Sequence, residues 1–206
     1  MQRESARAIL YHARKANLAS EHQAVLLTIA EIESGFNPMA RASSSSACGL
    51  FQFIKATGKR YNLPREDCMN PMLNAKAGVQ HYLDNFNGRV LDEVKALSGP
   101  EKLIKIFKLS YFMHHDGPKS DNPSDRLKAI VLEATPFLLR SHTILKQEEE
   151  RLASQPTFYD NFVQRSNDRL TSVVDGGKSL LSNEQETNNP DEIPSTQEVS
   201  RPSSKK

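Results

Sequence analysis

A chain of 206 residues, 37% hydrophobic and 25% charged, is long enough for one well-buried domain of about 150 residues plus a tail. Its formal net charge of +2 excludes the basic excess that nucleic-acid-binding domains usually carry, while a sequence pI near 8.5 permits mild attraction to an anionic polymer. No run approaches the ~18 apolar residues of a membrane-spanning helix, and the longest, Ala24 to Ala30, makes one face of a short helix.

Helical periodicity runs along the chain without convincing strand alternation, so the expected class is all-α. Ala6, Ile9, Leu10 and Ala13 form one apolar face over the first fifteen residues. Ser20 followed by Gln23 reads as a capping box that opens a second helix, whose apolar positions Val25, Leu26, Ile29, Ala30 and Ile32 end at Gly35. A third, short helix is expected from about Gly49 to Tyr61. Pro71 suits the first turn of a fourth, capped by Asn70, running through Ala75, Val79, Tyr82, Leu83 and Phe86 and stopping at Gly88. Val90 to Leu97 makes a fifth, and Pro100 starts a sixth with Leu103, Ile104, Phe107, Tyr111 and Phe112 inside.

After the turn HHDGPKSDNP a long helix is expected from Ser124 through Glu150, with Leu127, Ile130, Val131 and Leu138 inward. Pro136 would bend it or split it. A last helix is expected from Pro156 to Val174, and from Gly176 the chain has too few large apolar residues to offset its ordering entropy, which predicts disorder. The expected division is a core over 1–118, a helical extension over 119–175 and a disordered tail over 176–206.

Cys48 and Cys68 leave a single disulfide and two free thiols both open; Cys48, among small residues and directly before Gly49, reads as a small buried hydrophobe. The N-terminal MQRESARAILYHARK is basic and amphipathic, with acidic Glu4, no apolar signal core and no cleavage pattern. The expectation is a domain that begins at residue 1 and reaches its substrate without an ordinary signal peptide.

The chemistry concentrates between Glu33 and Thr57. Glu33 falls in the last turn of the second helix, where the negative end of the helix dipole disfavours a carboxylate. A half-buried place beside Phe36 and Phe51 would add desolvation, and both effects raise a carboxyl pKa toward the range a general acid needs.

ESGFNPMA at 33–40, ACGLFQ at 47–52 and the downstream Thr57 resemble the soluble lytic transglycosylase family of the lysozyme-like superfamily. A second family block, N-P-x-x-N-x-x-A-G-x-x-Y-L, is matched in full from Asn70 to Leu83, and YFMHHDGP from Tyr111 to Pro118 is similar to the third, closest to its phage-type form. The resemblance spans roughly residues 5 to 118. It departs in the serine run: Ser46 stands where the family has glycine, one extra residue follows Glu33, and the loop serine is Ser43, Ser44 or Ser45, with Ser43 favoured by counting back from Gly49.

The resemblance implies a goose-type lysozyme/transglycosylase fold with Glu33 as catalytic acid and then base, acting between N-acetylmuramic acid and N-acetylglucosamine of peptidoglycan to form a 1,6-anhydro sugar. It implies Ser43, Gln52, Phe51 and Tyr111 as substrate-binding residues, with Phe51 open to core packing as well and Tyr111 either bonding the acid or stacking on a sugar. The expected partner is the glycan strand, with virion or secretion-machinery proteins on the C-terminal tail and either virion association or non-Sec delivery to the periplasm.

Hydrolysis needs a second carboxylate at a defined separation. Glu31 lies about 200° round the helix from Glu33, and Asp116 is the carboxylate nearest a family block, hence the one to watch for a hydrolytic muramidase. A non-catalytic assembly protein on the same scaffold is the third reading. His114, His115 and Asp116 lack the spacing of a metal site, and neither a metal nor a cofactor is expected.

Overall fold

The structure is a computed structural model of the chain and describes residues 2–117 and 122–155. The expected helix over 156–174 and the tail from 176 lie outside the described residues. Among the described residues the fold is all-helical, with isolated β-bridges and no strand: α1 (Gln2–Lys15), α2 (Ser20–Ser34), α3 (Lys55–Arg60), α4 (Pro71–Asn85), α5 (Leu91–Val94), α6 (Gly99–Asp116) and α7 (Asp125–Ser154).

The chain is organised around α2. Every residue from Gln23 to Ala30 is buried, because α1, α4, α6 and α7 all pack against this helix. Full burial of side chains such as Leu26 and Ile29 stabilises by about 1.5–3 kcal/mol each, which makes α2 the rigid element from which Glu33 projects. α1 applies Ser5, Ala8, Ile9 and Ala13 to this core, and α6 applies Leu103, Ile106, Phe107 and Ser110.

The capping box expected at Ser20 does not form. Ala19 is the N-cap, Ser20 is buried as the first helical residue, and the Gln23 side chain donates instead to the Leu18 carbonyl at 2.7 Å. The stop at Gly35 is as expected: it takes the left-handed conformation (φ 57°, ψ 34°) and its N–H bonds the Glu31 carbonyl. Asn70 caps α4, its side chain accepting from the N–H groups of Met72 and Leu73. Gly88 does not end that run. A π-helical turn over Phe86–Val90 leads directly into α5, and its extra residue lets Val90 and Val94 both bury.

α7 is continuous through Pro136 rather than split there. The hydrogen bond lost at the proline would have ended on the carbonyl of Leu132, whose side chain is 74% exposed, so water can replace it. Ser124 caps the helix, its Oγ accepting from the Leu127 N–H. Leu127, Val131, Leu138 and Leu145 join the same core, and one compact unit runs through Ser154. Beyond the expected boundary at 118, the apolar stripe of α7 thus packs into the core that α2 occupies.

The expected helix from Gly49 is also corrected. Residues 49–53 form a turn, and only Lys55–Arg60 is helical. Gly49 has φ 78° and Gln52 φ 46°, values that interrupt a helix, and Cys48 bridges to Arg41 on one side and Phe53 on the other. Cys48 and Cys68 are joined as a disulfide, which decides between the two alternatives; Cys48 is buried as well as bonded.

Candidate active site

Glu33 stands at the wall of a cleft of about 700 Å³, lined also by Gln52, Phe53, Thr57, Arg60, Tyr61, His81, His114, His115 and Asp116. A roomier groove elsewhere, lined by Ser20, Pro100, Leu103, His142 and Lys146, contains none of the residues the sequence singles out for catalysis or substrate binding.

Three side chains set the turn against the acid. Ser34, next to Glu33, donates to the Leu50 carbonyl at 2.9 Å and to the Ala30 carbonyl at 3.1 Å, tying the end of α2 to the turn. Asn74 of α4 is fully buried; it accepts from the Phe51 N–H at 3.1 Å and donates to the carbonyls of Cys68 at 2.9 Å and Cys48 at 3.4 Å. Gln52 donates both amide hydrogens within its own loop, to Ala40 and Gly49 carbonyls at 3.1 and 2.9 Å. The oxygen of its amide is what remains to accept from a ligand. The disulfide and Arg65, which donates to the Ser46 carbonyl, hold the other side of the loop.

Burial pushes the Glu33 carboxyl up to about 7, against smaller downward pulls from His115 and from the Tyr111 hydroxyl that bonds it. The side chain is 15% exposed, enough for a ligand to reach it and too little for water to solvate its anion fully. Burial, with Glu33 as neighbour, pushes the Tyr111 phenol up as well, so it stays a neutral donor.

His114 Nε2 lies 3.0 Å from the Phe51 carbonyl and 3.9 Å from Glu33 Oε1. Burial, then His81, holds this imidazole down to about 3. An ion pair near 4 Å gains about 4 kcal/mol at an effective dielectric of ~20. Desolvating its two ions costs several kcal/mol each, so the uncharged pair prevails. On the α4 side, Asn85 Nδ2 lies 3.2 Å from His81 Nε2, His81 Nδ1 lies 3.2 Å from the Tyr61 hydroxyl, and that hydroxyl donates to Asp84 at 3.0 Å. One assignment satisfies the chain: His81 neutral, protonated on Nδ1, in keeping with a pKa that burial lowers to about 4.

The expected site residues separate on this geometry. Glu33 and Gln52 line one cleft, with Thr57. Tyr111 is 2% exposed and meets the acid rather than a sugar face. Of the two roles left open for Phe51, the structure has core packing: it is 1% exposed, with its ring against Gly78. Ser43, Ser44 and Ser45 are exposed on the loop and do not line the cleft; Ser45 Oγ accepts from the Ala47 N–H, and Ser46 Oγ accepts from the Lys55 N–H. Asp116 does line it, paired with His115 at 2.7 Å.

Sequence reasoning missed Ser34, Asn74, Tyr61 and His81, and weighed His114 only as a metal ligand. Ser34, Asn74, His81 and His114 lay inside the quoted blocks, His81 at a position the block leaves unspecified, which was the available signal; Tyr61 carried none. Among the described residues no group of three or more His, Cys, Asp or Glu is placed to hold a metal ion.

The all-helical fold that sets this buried carboxyl at the cleft wall is, by the family match that follows, of the lysozyme-like class. Residues 11–100 match the Transglycosylase SLT domain family, and this stretch is an SLT-type transglycosylase domain. The match includes Glu33, Gln52 and Asn74, while Tyr111 and His114 lie beyond it on α6. No curated protein and no solved structure matches the chain.

Proposed function

We propose that this domain cleaves the β-1,4 bond between N-acetylmuramic acid and N-acetylglucosamine in peptidoglycan as a lytic transglycosylase. The observation that carries the reading is Glu33, a buried carboxyl held near 7 at the wall of the cleft. Glu33 gives its proton to the glycosidic oxygen as that bond breaks. The resulting carboxylate takes the proton of the muramic 6-hydroxyl as its oxygen closes on the anomeric carbon. The carboxyl ends as it began, and no water is consumed. Gln52, with its amide oxygen free to accept, is suited to an acetamido N–H.

A hydrolytic muramidase is the second reading, favoured by Asp116, a second carboxylate in the same cleft. Digestion of purified cell wall separates the two. Anhydro products, lighter by one water than reducing-end products and absent for Glu33→Gln, support the transglycosylase. Reducing-end products that disappear in Asp116→Asn establish the muramidase, and no release by the wild-type chain favours a structural role.

The Cys48–Cys68 disulfide suits a compartment where thiols oxidise, which supports a site of action at the wall outside the cytoplasm. The phage-type form of the serine run and of the 111–118 block supports a virion-associated protein, and delivery by a non-Sec route is the competing context. Immunodetection in purified particles against periplasmic extracts separates them.

A further inference from the structure

We infer that His114 is a positioning residue for the acid: its Nε2–H holds the Phe51 carbonyl, and its uncharged ring walls the Glu33 carboxyl so that the proton of this pair stays on the carboxyl. This rests on the reading of Glu33 as the acid and extends it to a residue outside the matched stretch.

The tautomer follows from geometry. Nε2 faces two oxygens, the Phe51 carbonyl at 3.0 Å and Glu33 Oε1 at 3.9 Å, and a lone pair aimed at both would be repelled. Nε2 therefore carries the hydrogen, and it is donated to the nearer acceptor. The bond spans 63 residues and reaches the turn between Gly49, in the left-handed region, and Gln52. α6 is thus joined through His114 to the turn that Asn74 and Ser34 hold from α4 and α2.

Neutrality follows from what surrounds the ring. α2 presents Glu33; α4 presents His81, its ring centroid 5.2 Å away; the turn presents the rings of Phe51 and Phe53 and no charged group. α3 supplies Arg60 to the same cleft, and α6 itself supplies Tyr111, His115 and Asp116. The side chain of His114 is 8% exposed, and Glu33 is the only carboxylate paired with it among the described residues. A second proton taken from the carboxyl would leave two poorly solvated ions where there were none, and one taken from solvent would leave a buried imidazolium with no carboxylate to pair it. Burial also holds the imidazole's own affinity for that proton far below its usual value.

The test uses the full chain labelled with 15N-histidine, followed by NMR from about pH 5 to about pH 8. One histidine, assigned by its loss in His114→Gln, is expected to stay neutral and Nε2-protonated throughout. Titration in that window, or the Nδ1-protonated form, overturns the proposal.

Glu33 is read separately, by 13C NMR of its carboxyl. It is expected to titrate near 7 in the wild type and at least one pH unit lower in His114→Lys, with the alkaline limb of kcat/KM moving equally. His114→Phe keeps the ring and loses the donor. It is expected to lower kcat about tenfold or more without moving that limb, and His114→Gln, which restores a neutral donor, should recover most of the loss. A His114→Phe chain as active as the wild type, or an unmoved Glu33 titration in a folded His114→Lys chain, overturns the proposal. If the lysine chain does not fold, the histidine spectra decide. If the wild type releases nothing from cell walls, the proposed function fails while both NMR measurements still judge His114.

Discussion

Gly49 approaches Asn74 so closely that a β-carbon on the glycine would lie 2.2 Å from Asn74 Nδ2. The same β-carbon would meet the Cys68 carbonyl at 2.1 Å, and φ 78° adds backbone strain for any other residue. Gly49→Ala should destabilise the domain by about 3 kcal/mol or more, the larger part from displaced backbone rather than the left-handed conformation alone. Asn74→Ala should cost a similar ~3 kcal/mol by stranding a buried N–H and two carbonyls. Urea denaturation measures both, and an unchanged midpoint for either would remove the clamp from the account.

Glu33→Gln should lower kcat/KM about a thousandfold, and the wild-type rate should fall about tenfold per pH unit above about 7, where the acid is lost. Initial rates of wall-suspension clearing across pH test both.

The same residue makes a stability prediction of definite sign. Its folded pKa, about 7, is above the ordinary 4.5, so the folded state holds a proton that the unfolded state has released between these values. That contribution is complete below about pH 4.5 and is lost as pH rises through about 7, a total of about 3 kcal/mol. Glu33→Gln cannot lose it. Its stability relative to wild type should rise by about that amount between pH 4 and pH 8, read from chemical-denaturation curves.

Tyr111→Phe removes a hydroxyl that pulls the Glu33 pKa down, so the alkaline limb should move to higher pH. At its optimum the variant should still be about tenfold slower, because the acid loses a donor that orients it. A limb moving to lower pH would show that the hydroxyl does not bond the carboxyl.

Reduction of the Cys48–Cys68 disulfide, or the Cys48→Ser/Cys68→Ser pair, releases a loop with a sequence separation of 20. Chain entropy sets the expected loss at about 3 kcal/mol. Thermal unfolding with and without reductant measures it, and activity should fall with it because Gln52 is carried by the tethered turn.

The helices were legible because apolar spacing at period 3.6 is a local signal: Ala24 to Ala30 and Leu103 to Phe112 sit where their periodicity puts them. Glu33 was legible for a related reason, since its place in the last turn of α2 depends only on where that helix stops. The turn at 49–53 was not, because its shape is imposed by Asn74 and Cys68, more than fifteen residues away in the chain. The choice between the two roles open to Phe51 was not legible for the same cause: its direction follows from a turn whose partners are remote. His114 is the clearest case, since its role comes from a carbonyl that only the packing of α6 beside the turn makes its neighbour.

The position of α7 has a practical consequence for anyone who would transplant or trim this domain. The family pattern ends at residue 100, yet the acid's hydroxyl partner and its histidine neighbour come from α6, and α7 packs along α2 and meets the residue just past its cap through the Phe36–Phe137 contact. A fragment cut at the end of the family pattern would keep Glu33 and strip away what tunes it, exposing an apolar flank of its helix to water. The smallest portable unit is therefore set by packing and extends through Ser154, well beyond the recognisable signature over 11–100.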